Sequence, residues 1–352
     1  MVELILDQFM EAIRQAIARR RPVRIRGSGS KDFYGGAALG EVLDTTAYQG
    51  IVDYSPEELV ITARAGTPLA EIEAALAAQG QMLPFEPPHF GPRATLGGCV
   101  AAGLSGPRRA TSGAVRDFVL GVQMLDGNAD HLRFGGQVMK NVAGYDVSRL
   151  MAGSLGTLGL ILEVSLKVLP RPKAEATVQF ECDEARALEL MNRWAGEPLP
   201  ISATCYHDHV LTLRLSGAAT AVEAAHAKLG GQGLAAGEAF WRGIREQSAN
   251  FFRSNAPLWR LSLPSTAAFD LPGKQLIEWG GALRWVFTKA EPSVVRAAAE
   301  QVQGQATLFR SSTKPRSVFH PLPQPLMAVH RRMKRAFDPH GIFNLGRMYS
   351  DF

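Results

Sequence analysis

The sequence predicts an α+β protein in two unequal parts, and three observations carry that expectation. Glycine is the first. The 352 residues hold 35 glycines, about a tenth of the chain against a typical ~7%, and 22 fall in residues 1–170 against 13 in residues 171–352. A glycine-rich first half makes many tight turns or brings its backbone close to something. The second is a double proline, Pro170-Arg171-Pro172, closing the most continuous apolar run of the chain. The third is the texture beyond it, where strand-like and helix-like runs alternate in two rounds, the pattern of ferredoxin-like α+β units. The expected parts are 1–170, a short α+β domain over 171–322, and a segment 323–352 that returns to the first part.

The elements follow in order. Ile5, Phe9, Ile13 and Ile17 recur every four residues, so 4–20 is expected as an amphipathic helix. Residues 22–27 read as a strand running into a glycine turn, and short β-rich runs follow at 42–44, 51–54 and 59–65. Thr67-Pro68 then supplies an N-cap and an N1 proline for a helix to residue 79, stopped by Gly80. Strands at 119–125 and 131–134 flank Asp126-Gly127, a hairpin signal. The apolar strand is 158–168. Past the prolines, strands are expected at 176–182, 202–215 with a break, 259–263, 282–287 and 307–310. Helices are expected at 183–195, 220–229 and 291–303, with a short one between 263 and 282. A last helix, 325–337, leads into Asp338-Pro339-His340-Gly341-Ile342-Phe343-Asn344-Leu345-Gly346-Arg347.

Composition narrows the class. With 46% hydrophobic and 20% charged residues and a mean hydropathy of −0.03, the chain has a soluble globular balance; disorder, coiled coil and disulfide scaffold are excluded. The net charge is +5 and the pI near 9.2, but the charges are scattered. The densest basic run, His330-Arg331-Arg332-Met333-Lys334-Arg335, falls on a predicted amphipathic helix and is read as a solvated or partner-facing surface, not as a nucleic-acid site. Cys99, Cys182 and Cys205 are far apart with no CxxC pair, which points to a reducing compartment and away from an iron–sulfur or zinc–cysteine site. The first ten residues carry acids where a signal peptide needs basic residues, and no apolar run approaches the ~20 residues of a membrane span. A cytoplasmic protein is expected, reaching a membrane only peripherally through partners.

Four glycine clusters carry the chemistry. Arg26-Gly27-Ser28-Gly29-Ser30-Lys31 follows a strand directly, and successive small residues leave backbone N–H groups free to line a concavity that suits a phosphate. It is neither a Walker loop nor a Rossmann fingerprint, since both lack a required residue here. Thr95-Leu96-Gly97-Gly98 opens a short helix of small and apolar residues that ends before Ser105-Gly106. Gly113-Ala114-Val115-Arg116-Asp117-Phe118-Val119-Leu120-Gly121 is the third, and Gly153-Ser154-Leu155-Gly156-Thr157-Leu158-Gly159-Leu160-Ile161 the fourth. Each alone could be a structural turn; four in order over about 130 residues are harder to explain that way.

In that order the clusters resemble the flavin domain of the vanillyl-alcohol-oxidase/p-cresol-methylhydroxylase (PCMH) type. The likeness covers residues 22–170 and resumes at Asp338–Arg347. The run Gly136-Gln137-Val138-Met139-Lys140-Asn141-Val142-Ala143-Gly144-Tyr145-Asp146 and the third cluster, taken with the length, are similar to the FAD-binding subunits of bacterial glycolate oxidases (glycolate dehydrogenases). The resemblance implies a PCMH-type FAD-binding domain of two α/β subdomains with a smaller ferredoxin-like cap. It implies FAD at Gly27, Ser28, Gly29, Ser30 and Lys31 for the pyrophosphate, and at Thr95, Leu96, Gly97, Gly98, Ser105 and Gly106 along the ribityl chain and phosphates. Asp117, Val119, Gly121, Gly156, Thr157, Gly159 and Ile161 would lie nearer the adenine and the closing strand, and Asn344 would approach the flavin end. It also implies partners, a larger flavin subunit and an iron–sulfur subunit, with glycolate or D-lactate oxidised to the 2-oxo acid and electrons leaving towards quinone.

The departures shape the expected role. Covalent members of the family carry a histidine in the first loop; here it reads Ser-Gly-Ser-Lys, so FAD is expected to be non-covalent. The histidine-rich metal site of the related 2-hydroxy-acid dehydrogenases has no counterpart to map. His207-Asp208-His209 could place two rings on one strand face, but no third ligand is in reach by sequence, and it is read as an exposed strand or turn. His89 and His320 are read as loop histidines, and Trp241, Trp259, Trp279 and Trp285 as cap core. No catalytic residue or metal ligand is assigned, and hydride removal is expected on the larger subunit. The alternatives are a stand-alone FAD-linked oxidoreductase on another hydroxy acid or a sugar lactone, and an assembly module whose flavin fold no longer binds cofactor.

Overall fold

The computed structural model describes residues 2–136, 146–313, 317–350 and 352. Residues 137–145, most of the run Gly136–Asp146 singled out above, lie outside the described residues.

The helix Val2–Arg19 buries Phe9, Ile13 and Ala16 against Leu125, Leu160, Leu162 and Phe343. Of these, Leu125, Leu160 and Leu162 belong to a five-stranded antiparallel sheet in the order Ile51–Ser55, Val60–Arg64, Leu160–Lys167, Val119–Leu125, His131–Gly135. Leu160–Lys167 is central, and its Ile161, Val164 and Leu166 join Ile72, Leu76, Leu96 and Val100 in a second cluster on the helices Leu69–Ala78 and Leu96–Ala102. Burial against helices on both sides explains why this strand reads as one continuous apolar run. The hairpin at Asp126-Gly127 forms with a longer loop than the dipeptide suggests: Asp126 Oδ1 accepts from the amides of Asn128 and Asp130 at 2.8 and 2.9 Å. Thr67 does not cap the helix that follows. Its hydroxyl instead takes the Gly50 N–H at 2.9 Å, and Pro68 occupies the N-cap position with no side-chain cap.

A short parallel pair, Val23–Arg26 with Glu41–Asp44, stands beside this sheet. Phe343 bridges to Val23 in parallel on its other edge, which brings the C-terminal segment back to the first glycine loop. The helix Gln324–Phe337 leads there. Within its basic run Lys334 is not solvated as expected but 4% exposed, donating to Thr157 O, Asp338 Oδ2 and Phe343 O at 2.7, 2.6 and 2.8 Å.

The two rounds of alternation after Pro172 merge edge to edge into one eight-stranded antiparallel sheet. Its order is Gln232–Gly233, Ala174–Glu181, Val210–Gly217, Ile201–His207, Lys274–Glu278, Leu283–Phe287, Leu258–Ser262, Gln305–Arg310. The joining strand, Lys274–Glu278, falls where a short helix was expected. Five residues with two adjacent apolar positions carry no period that separates helix from strand, and partners on both edges decide the matter. The helix Gly237–Arg245 also had no counterpart in the sequence reading. His207-Asp208-His209 is the tight turn of the hairpin Ile201–His207/Val210–Gly217, with φ of 51° at Asp208 and 60° at His209; His207 Nδ1 lies 2.9 Å from Gln275 O. Among the described residues no helix is long and apolar enough to cross a membrane, and no three His, Cys, Asp or Glu are grouped to hold a metal.

Candidate functional site

Where strand Val23–Arg26 ends, the chain turns through Gly27, Ser28, Gly29, Ser30 and Lys31 around a cleft of about 80 Å³. The same cleft is lined by Thr95 and Gly98 from the second cluster, by Leu155 from the fourth and by Asn344. Three glycine-cluster segments and the C-terminal segment therefore converge, although more than 300 residues separate the first from the last.

The geometry of the loop is that of an anion nest. None of the amides of Ser28, Gly29, Ser30 and Lys31 donates a hydrogen bond to a described residue. Consecutive unpaired N–H groups at the rim of a concavity are a fixed positive patch. The loop carbonyls are drawn away instead: the Arg347 guanidinium donates to Lys31 O, Asp32 O and Gly36 O at 2.9, 3.1 and 3.0 Å. Gly29 has φ +77°, and a Cβ there would run into the Arg26 guanidinium. A Cβ at Gly27 would strike Thr95 Oγ1, the hydroxyl that caps Gly98 N–H at 3.4 Å. Only glycine lets these two walls close to contact.

Charge agrees with geometry. Arg24, Arg26, Lys31 and Arg347 line the cleft against one carboxylate, Asp32, which both Arg24 and Arg26 grip at 2.7 and 2.8 Å. Lys31 is 8% exposed, and among the described residues its ammonium has acceptors only at Ser30 Oγ, 3.4 Å, and His89 O, 3.2 Å. Burial pushes its pKa down, with Cys99 and Glu246 opposing. A buried ammonium without a carboxylate is costly unless an anion joins it. Four cations, one acid and a run of free amides fit the pyrophosphate of a dinucleotide.

The remaining predicted residues divide. Asn344, 4% exposed, stitches the walls together rather than turning into the cleft: Oδ1 accepts from Ile25 N–H at 2.7 Å, and Nδ2 donates to Leu155 O at 2.6 Å. Gly156 lies against that amide, 2.6 Å from an added Cβ. Leu96 and Ile161 are core residues beside the cleft, and Gly97 packs on Ala65. Thr157 bonds Ser154 O at 2.7 Å, and Gly159 packs on Met124 and Leu125. Val119 pairs with Leu166 and Gly121 with Gly135 and Ser165 inside the sheet. Asp117 is exposed and takes the Ala114 N–H at 2.8 Å. None of these other nine predicted residues lines the cleft.

Ser105 and Gly106 line a second space of about 20 Å³, formed where the glycine loop meets the cap sheet. Its other walls include Phe90, Arg260, Glu278, Trp285 and Phe309. Trp279 Nε1 donates to Gly106 O at 3.1 Å, and the guanidinium carbons of Arg109 and Arg260 lie 4.6 and 5.3 Å from the Trp279 ring centroid. Glu278 Oε2 accepts from Trp285 Nε1 at 2.8 Å. Burial raises the Glu278 pKa to about 7, against the opposing pull of Trp285 and Arg260. His89 is no surface-loop histidine. Its ring is 14% exposed beside Glu73, 3.2 Å away, and Glu246 accepts from the backbone of His89 and Phe90 at 3.1 and 3.0 Å.

Sequence reasoning missed Arg24, Arg26 and Arg347. Alternate arginines on the strand entering the loop were a readable signal, because period two puts both on one face. Arg260 and Glu278 carried no local signal. A third and larger groove, about 1000 Å³, lies around the ion network of Arg108, Glu86, Arg214 and Glu175; no predicted cofactor residue lines it.

The family described as FAD binding domain matches residues 6–135. Glycolate oxidase subunit GlcE of Escherichia coli is 51% identical over 344 residues, 97% of this chain and 97% of that one. Glycolate oxidase subunit GlcD of Bacillus subtilis is 31% identical over 199 residues, which is 55% of this chain and 42% of GlcD. Among solved structures, alkyldihydroxyacetonephosphate synthase superposes with a TM-score of 0.66 at 14% identity, over 96% of this chain and 75% of that one, a likeness of fold. Half of all positions identical along nearly the full length of both chains settles the relationship: this chain belongs to the family of glycolate oxidase subunit GlcE.

Proposed function

We propose that this chain binds FAD non-covalently in the Gly27–Lys31 cleft and serves as a flavin-carrying subunit of a glycolate-oxidising assembly. The observation that carries the reading is the run of four amides at residues 28–31 that donate to no described residue, ringed by four cations against one carboxylate. Bound there, FAD would supply two-electron redox chemistry. The chain's own part is to hold the phosphates on those amides and on Lys31 and to fix the loop through Arg347 and Asn344. A larger flavin subunit and an iron–sulfur subunit are the proposed partners, and through them the assembly would meet the membrane peripherally and pass electrons towards quinone.

Within that assembly the chain acts as an electron station, and glycolate or D-lactate is oxidised on the larger flavin subunit. One observation supports this division. The space between the Ser105-Gly106 loop and the cap sheet, about 20 Å³, has room for about one water, and aromatic rings close it: Phe33, Phe90, Phe309 and Trp285 stand with centroids 4.7–6.3 Å apart along the group.

The test is spectroscopic. The purified chain is titrated with FAD, then mixed with glycolate, with D-lactate, and with its partner subunits plus glycolate. Flavin absorbance that bleaches only when the partners are present is expected. Bleaching by either hydroxy acid in the isolated chain would overturn the division of labour; failure to take up FAD would overturn the cofactor reading and favour an assembly module.

A further inference from the structure

Glu278 is the least explained charged group in the molecule. It lies on strand Lys274–Glu278, the strand that joins the two halves of the cap sheet, and it is 3% exposed. A buried carboxyl is ordinarily matched by a cation in direct contact. Arg260 is close enough to act on it electrostatically, yet the two form no ion pair within 4.0 Å. Only one carboxyl oxygen is engaged, by Trp285 Nε1; the other receives no hydrogen bond from a described residue. Both Glu278 and Arg260 line the water-sized space whose opposite wall is Ser105-Gly106, the loop that the family resemblance assigns to the cofactor. A half-satisfied acid and an unpaired cation share one small cavity at the end of the cofactor loop.

The groups that face Glu278 come from every element packed around it. Arg260 on strand Leu258–Ser262 and Arg214 on strand Val210–Gly217 favour its charged form, as does the Trp285 hydrogen bond from strand Leu283–Phe287. Glu86 and the burial itself favour the neutral form. Cys205, its register partner on strand Ile201–His207, is a thiol pushed well above its ordinary range by burial, then by Glu278, and stays protonated. Burial outweighs the cations and the hydrogen bond and holds the pKa at about 7, near balance between the two forms at neutral pH, so a unit of charge added or removed at the cavity wall decides the state of the carboxyl.

We propose that Glu278 is the proton partner of the bound flavin: its carboxylate takes up one proton when the cofactor is reduced and releases it on reoxidation. The inference rests on the reading that FAD is held by the Gly27–Lys31 loop, extends along Ser105-Gly106 to the wall of this cavity, and cycles between redox states. The balance is simple. Two electrons arrive from the reduced flavin of the partner subunit, one proton from solvent joins the ring, and a second proton joins Glu278 through the cavity water; reoxidation sends the electrons to the next acceptor and both protons back to solvent. Added electron density at the cavity makes Coulomb repulsion favour the neutral carboxyl, and the uptake of that second proton removes the repulsion.

The experiment is potentiometric and does not depend on turnover. The midpoint potential of FAD in the full-length chain is followed by absorbance from pH 5.5 to 8.5, in the wild type, in Glu278→Gln and in Arg260→Met. One extra proton per two electrons steepens the potential by about 30 mV per pH unit. The wild-type curve, relative to Glu278→Gln, is expected to steepen by that amount above about pH 7, and to run parallel to it below. Arg260→Met, which leaves the carboxyl without its nearest cation, is expected to move the break to higher pH. Infrared difference spectra supply an independent readout, a carboxylic-acid carbonyl band gained on reduction above pH 7 in the wild type and absent in Glu278→Gln. Parallel potentials across the whole range with no such band would overturn the role of Glu278 while leaving FAD binding intact. A wild-type chain that takes up no FAD would overturn both readings.

Discussion

Asn344 closes a strand edge laid down more than 300 residues earlier: its Oδ1 accepts the Ile25 N–H at 2.7 Å. The same side chain donates to Leu155 O at 2.6 Å, so one buried amide spans the strand before the phosphate-type loop and the fourth glycine cluster. Both bonds replace water that those backbone groups cannot reach.

Asn344→Leu is similar in bulk but leaves the Ile25 amide and the Leu155 carbonyl unpaired. Each buried orphan costs about 1–3 kcal/mol. A loss of about 2–5 kcal/mol in urea unfolding is expected, with FAD affinity reduced because the strand that launches the loop is no longer held. A variant as stable as the wild type would show that water reaches both groups.

Gly29 tests the cleft without disturbing the core. Alanine at φ +77° carries about 1–2 kcal/mol of backbone strain, and its Cβ displaces the Arg26 guanidinium that holds Asp32. FAD binding is expected to weaken at least tenfold, about 1.4 kcal/mol, while circular dichroism stays native. Gly217→Ala is the control, since its Cβ would meet Pro200 at an ordinary 3.7 Å. Unchanged affinity in Gly29→Ala would place the phosphates elsewhere.

Much of the cleft was legible because its signals are local. Small residues at 27–30 after a strand, and Thr95 two residues before a glycine pair, declare close backbone approach by composition alone. The fourth cluster shows the limit of that reasoning. Gly159, with Met124 and Leu125 O against the place of its Cβ, serves sheet packing, and its sequence neighbourhood looks no different from that of Gly156, which lies against the Asn344 amide beside the cleft. The strand Lys274–Glu278 was illegible for another reason: partners about 70 residues earlier in sequence and a few residues later fix it, and a five-residue segment has too little periodicity to report them. Glu278 inherits that invisibility, since what makes it unusual is Arg260, Trp285 and a cavity, none of them readable from its own neighbours.

Lys334 should be among the most damaging single sites. Its ammonium is almost completely buried, with three acceptors: Thr157 O, Asp338 Oδ2 and Phe343 O. Lys334→Met removes the cation and leaves the Asp338 carboxylate, 1% exposed, without it. A loss of about 3–5 kcal/mol is expected. The double variant Lys334→Met/Asp338→Asn should recover part of it, because the uncompensated charge is then gone; urea unfolding of the three proteins decides.

Glu86 and Glu278 should give stability opposite dependences on pH. Burial raises the Glu86 pKa, but Arg214 and then Arg108 outweigh it, and the net shift is downward. The folded state therefore holds the Glu86 proton less tightly than the unfolded chain. Its contribution is present above the ordinary glutamate range and is lost as pH falls through the folded pKa. Glu278 is raised to about 7, so between about pH 4.5 and 7 the folded state binds a proton that the unfolded chain has released. Stability must then fall as pH rises through that window, by about 3 kcal/mol for a shift of this size. Urea unfolding at pH 5, 6.5 and 8 separates the two. Glu278→Gln is expected to remove the fall between pH 5 and 8 and to be relatively more stable at pH 8. Glu86→Gln is expected to be destabilised at every pH above 5 by about 3–5 kcal/mol, since two guanidiniums lose their shared carboxylate. If the wild type and Glu278→Gln keep a constant stability difference from pH 5 to 8, Glu278 does not change charge in that range, and neither the pH dependence nor a proton-coupled role can be assigned to it.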